Sequence, residues 1–260
     1  MKRAERHHLK ENEFAHTLAR VTESVTTNSR QITWGIVVAL LVAAAVAGYF
    51  LWRGRVEGRA GALLAEAMTI AESPVVPPAP PTPPAEPGSP PATPPAPPAG
   101  SYPTEKAKLE AAVPKFLAVA EQYPSTGAGL AGRYHLAASL GELGRRADAE
   151  KHYQAVIDKD RSGIYGQMAR LGLAELQVDG AQYDRAFTIY KELTADRDSR
   201  LPLDGVLMRL GQAYARAGKT ADARQTFTRV VDEFPESQYA PQAKEELSKL
   251  APANTGTPGD

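Results

Sequence analysis

Cysteine is absent from the 260-residue chain, which excludes disulfides, thiolate metal sites and cysteine nucleophiles together. Net charge is missing as well: 30 Lys and Arg are balanced by 30 Asp and Glu. From Thr104 onward the balance persists, at 21 basic against 22 acidic residues. The part expected to fold therefore offers no basic face for nucleic-acid phosphates. Catalytic signatures are lacking too. There is no G-x-S-x-G, no Walker A loop and no paired-carboxylate constellation, so the chain does not read as an enzyme and no cofactor is expected. His7, His8 and His16, with Glu11 and Glu13 near them, have no fixed ligand spacing such as H-E-x-x-H and read as solvated polar residues. His135 and His152 lie in helical stretches without a catalytic partner at readable spacing. One cofactor motif is matched: Gly127-Ala128-Gly129-Leu130-Ala131-Gly132 satisfies G-x-G-x-x-G. A phosphate loop of that kind follows a strand, whereas Tyr123-Pro124-Ser125-Thr126 ends a helical pattern, so the glycines mark an inter-repeat turn with Ser125 or Thr126 capping the next helix.

What the chain does have is a period. Ala149, Ala186 and Ala223 stand 37 residues apart, and Tyr153, Tyr190 and Phe227 keep the same step, as do Leu136, Leu173, Leu210 and Val156, Leu193, Val230. Apolar residues recur at helical spacing on both sides of Gly218-Lys219-Thr220, which predicts two antiparallel amphipathic helices per period. Leu207, Leu210-Gly211, Tyr214, Ala223, Phe227 and Pro235 fit the tetratricopeptide (TPR) pattern of W-x2-L-G-x2-Y, A-x3-F and P, with Leu207 at the tryptophan position. The expected fold is all-α: a TPR-like helical-hairpin solenoid with a single N-terminal transmembrane helix.

That transmembrane helix is Ile32–Trp52, which carries no charge over 21 residues. At about 1.5 Å per residue it is about 31 Å long, which matches a bilayer core of about 30 Å. Trp34 lies near one end and Tyr49 and Trp52 near the other, as an aromatic belt requires. The apolar run begins only after 31 residues and has no clear small-residue cleavage site, unlike a secretory signal peptide. Six cations precede it (Lys2, Arg3, Arg6, Lys10, Arg20, Arg30) and three follow closely (Arg53, Arg55, Arg59), which favours a cytoplasmic N-terminus, although within about 20 residues of the span the balance is two against three. Residues 1–31 form the tail; Phe14, Leu18, Val21 and Val25 share one helical face, and the segment is either a surface amphipathic helix or a partly ordered tail.

Residues 53–72 include the Ala- and Leu-rich stretch Gly58–Glu72, a helix former. Between Ser73 and Pro103 lie 15 of the 22 prolines. That density fixes φ and removes amide donors, so 73–103 reads as an extended, disordered loop, either a spacer or a PxxP ligand. Stepping 37 residues back from Ala149, Tyr153 and Val156 gives Ala112, Phe116 and Val119, the apolar face of a second helix whose first helix is missing. Gly58–Glu72 is expected to supply it as a split repeat, with Leu63 or Met68 meeting Phe116, Leu117 or Val119 across the insert. The array then runs over 104–250 with a C-terminal capping helix, Ser237–Leu250, and 251–260 is a disordered tail.

In TPR arrays the first helix of each repeat lines the inner groove. By register with Leu210-Gly211 the ligand-facing positions are Tyr134, Ala138, Met168, Leu171, Glu175, Met208 and Gln212. A clamp for C-terminal carboxylates needs cations where Tyr134, Leu171 and Met208 stand, so an apolar or varied peptide is the expected ligand, unless these residues pack against neighbouring repeats.

One span followed by a small TPR array resembles the YfgM-like ancillary subunits of the SecYEG translocon, over about Glu11 to Leu250. The endings Gln122-Tyr123-Pro124-Ser125 and Glu233-Phe234-Pro235-Glu236-Ser237 are also similar to envelope TPR proteins of the YbgF and BamD type, which carry a signal peptide or a lipidated cysteine instead of such an anchor. The proline-rich insert and the long N-terminal tail depart from the YfgM-like pattern. The resemblance implies a single pass through the bacterial inner membrane, a periplasmic repeat domain, and exported or unfolded polypeptides as partners, with the translocon or a chaperone beside them. A structural scaffold subunit of a cell-envelope complex is the alternative.

Overall fold

The computed structural model describes residues 29–77 and 98–250. The tail 1–28, the central part of the proline-rich insert (78–97) and residues 251–260 lie outside it, as do the expectations that fall on them. Among the described residues there are nine α-helices and no strand beyond one isolated bridge. They are α1 (Ser29–Ala71), α2 (Glu105–Gln122), α3 (Gly127–Glu142), α4 (Arg146–Lys159), α5 (Ile164–Asp179), α6 (Tyr183–Ala195), α7 (Leu203–Arg216), α8 (Thr220–Glu233) and α9 (Ala240–Lys249). The fold is thus an all-α TPR-like solenoid.

The chain divides into two units, Met1–Val56 and Glu57–Asp260. In the first, the described backbone is the N-terminal part of α1, a stretch long and apolar enough to cross a membrane, with a mean hydropathy of 2.3. Its large apolar side chains, Trp34 and Trp52 among them, are exposed. The sequence reading ended this segment at Trp52 and began another at Arg53. The backbone instead runs through both as one 43-residue helix. No proline interrupts it, and an isolated glycine such as Gly54 or Gly58 costs a helix only about 1 kcal/mol relative to Ala, too little to end it.

In the second unit the 37-residue period is a packing period. All twelve residues of the four repeating columns are buried, and so are Ala112, Phe116 and Val119 one step earlier. Small residues let the helices cross closely. A Cβ on Gly211 would stand 2.5 Å from the Phe227 ring, and one on Gly132 would stand 3.0 Å from Val119. The G-x-G-x-x-G stretch opens α3: Thr126 Oγ1 accepts the Gly129 amide at 2.9 Å as an N-cap. Gly129 cannot be replaced, since a Cβ there would lie 1.8 Å from the Tyr123 carbonyl oxygen. Gly129 is therefore explained by the turn before α3 and Gly132 by the close crossing of α2, while a Cβ on Gly127 would meet nothing within 4 Å.

The C-terminal part of α1 packs in one cluster with α2, α3 and α4. Ala67 is buried with Ala112, Phe116 and Leu136, and Leu64, Met68 and Leu117 lie partly buried against them. Glu66 accepts from Lys115 Nζ at 2.5 Å across the pair. Where the insert leaves and rejoins, the Val76 amide donates to the Tyr102 carbonyl (2.9 Å) and the Tyr102 amide to that of Pro74 (3.0 Å). This parallel bridge clasps the two ends of the insert together. Two cores result. One runs from Ala67 to Leu176 and the other from Ala174 to Ala243, and Ile189 packs against both. The last helix is shorter than the expected Ser237–Leu250, beginning at Ala240, because a turn intervenes in which the Ala240 amide donates to the Ser237 carbonyl.

Candidate peptide groove on the inner face of the repeats

The helices α3, α5, α7 and α9 are those expected to line the inner face of the repeats. Along it the two halves of the array differ. Between α5, α7 and α9 lies a cavity of about 680 Å³. Its floor is apolar, with Val178, Met208 and Ala213 buried and Tyr190 of α6 almost fully so. Its walls are polar and cross-linked. Arg209 of α7 engages the Glu175 carboxylate of α5, and Arg216 Nη1 lies 2.9 Å from Asp179 Oδ1. Glu246, Gln242 and Tyr239 close it from the C-terminal side.

Burial pushes the Glu175 carboxyl above its ordinary range; Arg209 counteracts this, and Asp179 one turn along α5 reinforces it. The Tyr190 hydroxyl is pushed up by burial first and by Glu175 second. The groove thus couples an apolar floor to charges only partly screened from one another, a setting where a ligand's own charge is felt.

Of the positions expected to face a ligand, Glu175, Met208 and Gln212 line this cavity. Met208 does so from a buried position. Tyr134 and Ala138 pack partly buried against the N-terminal core instead, the Tyr134 ring 6.0 Å from that of Tyr153 and 5.2 Å from His135. Leu171 packs partly buried against the C-terminal core. Met168 is half-buried on α5 and does not line the cavity.

Sequence reasoning passed over Asp179, Arg209 and Arg216. A signal for two of them existed, since Glu142, Asp179 and Arg216 form a column at the 37-residue step in which the sign of charge reverses between α5 and α7. Glu246 was also missed, although it continues the column His135, Gly172, Arg209 into α9.

Among the described residues no group of three or more His, Cys, Asp or Glu is placed to hold a metal ion. His135 stacks on Phe116, with ring centroids 5.4 Å apart. Burial holds its pKa below the ordinary histidine value, with Glu72 opposing. His152 is lowered by burial first, then by Arg133 and Lys151. Both histidines read as packing groups.

No curated protein matches the sequence. Among solved structures, the nearly identical TPR-like repeats attributed to a kinesin light chain of Podosopora anserina align at 15% identity, covering 55% of this chain and 77% of that one, with a TM-score of 0.48. A TPR protein from Parabacteroides merdae ATCC 43184 aligns at 17% identity over 56% of this chain and 55% of that one, with a TM-score of 0.45. The profile of the tetratricopeptide repeat-like domain family matches residues 25–251. That range takes in the apolar helix and every repeat, and the chain belongs to this family.

Proposed function

We propose that the protein is a membrane-tethered TPR adaptor, which holds extended polypeptide segments in the groove between α5, α7 and α9. The observation that carries this reading is the groove itself: an apolar floor with hydrogen-bonding walls, within the range of about 300–1,000 Å³ usual for binding clefts. TPR-like repeats are protein-interaction folds, and membership of the family supports protein partners and a role in binding. Tethering is supported by the exposed apolar stretch of α1, which the family match includes. The resemblance to YfgM-like subunits supports a location in the bacterial inner membrane, with the repeats on the periplasmic side and exported polypeptides as clients.

A photo-crosslinking amino acid placed at Gln212 tests the groove in intact cells, with one at the exposed Arg224 of α8 as control. Crosslinks to many polypeptides from position 212, and few from 224, are expected. A single stoichiometric adduct would replace the adaptor by a scaffold subunit with fixed contacts, and equal yields at both positions would remove the groove from the account. A reporter active only outside the cytoplasm, fused after Leu250, is expected to be active; activity of a cytoplasmic reporter instead would invert the topology.

A further inference from the structure

The charges around the groove are unequally served. Glu175 and Asp179 sit four residues apart on one face of α5, a like-charged pair that an isolated helix disfavours. Each is held by one arginine of α7. On α9, Glu245 and Glu246 share the single cation of Lys249, at 2.9 and 3.0 Å. In the groove lining itself three carboxylates, Glu175, Asp179 and Glu246, therefore meet two arginines. After one contact each, the guanidinium groups keep N–H donors and the carboxylates keep acceptor sites, so hydrogen-bonding capacity favours neither sign of ligand. The excess carboxylate does, because an incoming cation meets a net negative surround that repels a further carboxylate. Burial of Glu175 adds to this, since an under-compensated carboxylate gains from a further positive charge.

The remaining walls are neutral. Gln212 and Gln242 each offer a donor and an acceptor, the pair of functions that an extended main chain presents at every residue. Ala215 and Tyr239, both half-buried, supply apolar contact beside them, above the buried Met208 and Tyr190.

We infer that the groove selects internal, extended polypeptide segments carrying a basic side chain among apolar ones, and disfavours acidic segments and free carboxyl ends. The inference rests on the groove being the binding site proposed above. The basic group sits against Glu175 and Asp179 while its apolar neighbours pack on Ala215 and Tyr239.

The test uses the full chain in nanodiscs and fluorescein-labelled peptides of the form acetyl-Gly-Ala-Leu-X-Phe-Ala-Gly-amide, with X as Lys, Gln or Glu, read by anisotropy. A fourth peptide has X as Gln and a free C-terminal carboxylate. The Lys peptide is expected to bind about tenfold more tightly than the Gln peptide at low salt, a preference that shrinks as the Debye length falls from about 10 Å at 0.1 M to about 3 Å at 1 M. The Glu and free-carboxylate peptides are expected to bind more weakly than Gln. In Asp179→Asn the ratio of Lys- to Gln-peptide affinity should shrink at least threefold with the helical circular dichroism of wild type, whereas Asp232→Asn, exposed on α8 and outside the groove, should leave that ratio as it is in wild type; an undiminished ratio in Asp179→Asn would overturn the inference. Tightest binding of the Glu or free-carboxylate peptide would make the arginines the readers and overturn the inference. Equal binding of all four would overturn it too, while leaving the groove as a binding site. Absence of binding by every peptide would sink the groove reading itself.

Discussion

The two halves of the repeat array follow one period yet treat their inner face differently. In the N-terminal half the ring of Tyr153 lies so close to Gly172 that a Cβ there would stand 2.7 Å from it. Tyr134 packs beside Tyr153, with ring centroids 6.0 Å apart. In the C-terminal half the equivalent of Tyr153 is Tyr190, and the equivalent of Gly172, one period on, is Arg209. A long cationic side chain stands where the glycine admitted a ring, so Tyr190 floors a groove instead of filling it. A single column of the repeat thus distinguishes the two inner faces. The groove proposed as the binding site lies where the small residue was given up.

The comparison breaks most severely if either core is hollowed. Phe116 and Phe227 are almost fully buried in the two separate cores. Phe116→Ala and Phe227→Ala should each cost about 3–5 kcal/mol. Because Ile189 packs on both cores, we expect one shared urea transition to shift for either variant. Two resolved transitions, each moved by only one variant, would show that the halves fold as independent units, as nearest-neighbour repeats are free to do.

A substitution at the distinguishing column sharpens the comparison. Gly172→Ala should gain about 1 kcal/mol of helix propensity and lose more to its clash with Tyr153, whose ring is rigid and enclosed. A net loss of about 1–2 kcal/mol by chemical denaturation is expected. A stabilised variant would mean that the N-terminal inner face is slack, and the contrast between the halves would weaken.

The seam between the halves yields a gain. Gly144 and Gly218 close their hairpins with φ of 75° and 73°, and the residue between them in the period is Ala181, at φ 56°. A side chain in this left-handed region costs about 1–2 kcal/mol, partly offset by the greater entropy a glycine loses on folding. Ala181→Gly should therefore raise stability by about 0.5–1 kcal/mol. A lowered midpoint would place the strain elsewhere in that turn.

Such residues show how far the sequence could be read. The core was legible because burial repeats every 37 residues: the columns of Ala149, Tyr153, Leu136 and Val156 needed no structure to be found. The packing of Met68 in the cluster of Phe116 could be argued because a second helix cannot bury its face alone, whereas Leu64 and not the expected Leu63 joins it there. The groove was harder to see. Glu175, Met208 and Gln212 follow the register, but whether an inner position lines a cavity depends on what its neighbour leaves empty. Tyr134 and Met208 share one column and have different surroundings. The exchange of Gly172 for Arg209 also fell outside the expected ligand positions, because a glycine offers no side chain to assign.

The gentlest test is acid, and the two halves should answer it with opposite sign. In the N-terminal half His135 is stacked on Phe116, and burial lowers its pKa below 6.5, with Glu72 opposing. His152 is lowered as well, again by burial first. A histidine of this kind binds a proton more readily in the unfolded chain, so the stability it contributes is present above pH 6.5 and is lost as pH falls through its unfolded and then its folded value. In the C-terminal half Glu175 is raised above 4.5 by burial. Its proton is bound more readily in the folded chain, so its contribution grows as pH falls through its folded value and disappears as pH rises again. Thermal melts between pH 7.5 and 5 should therefore show a falling midpoint whose slope is reduced in His135→Gln and steepened in Glu175→Gln. A slope unchanged by His135→Gln would remove the histidine stack from the acid response and leave His152, beside Arg133 and Lys151, to account for it.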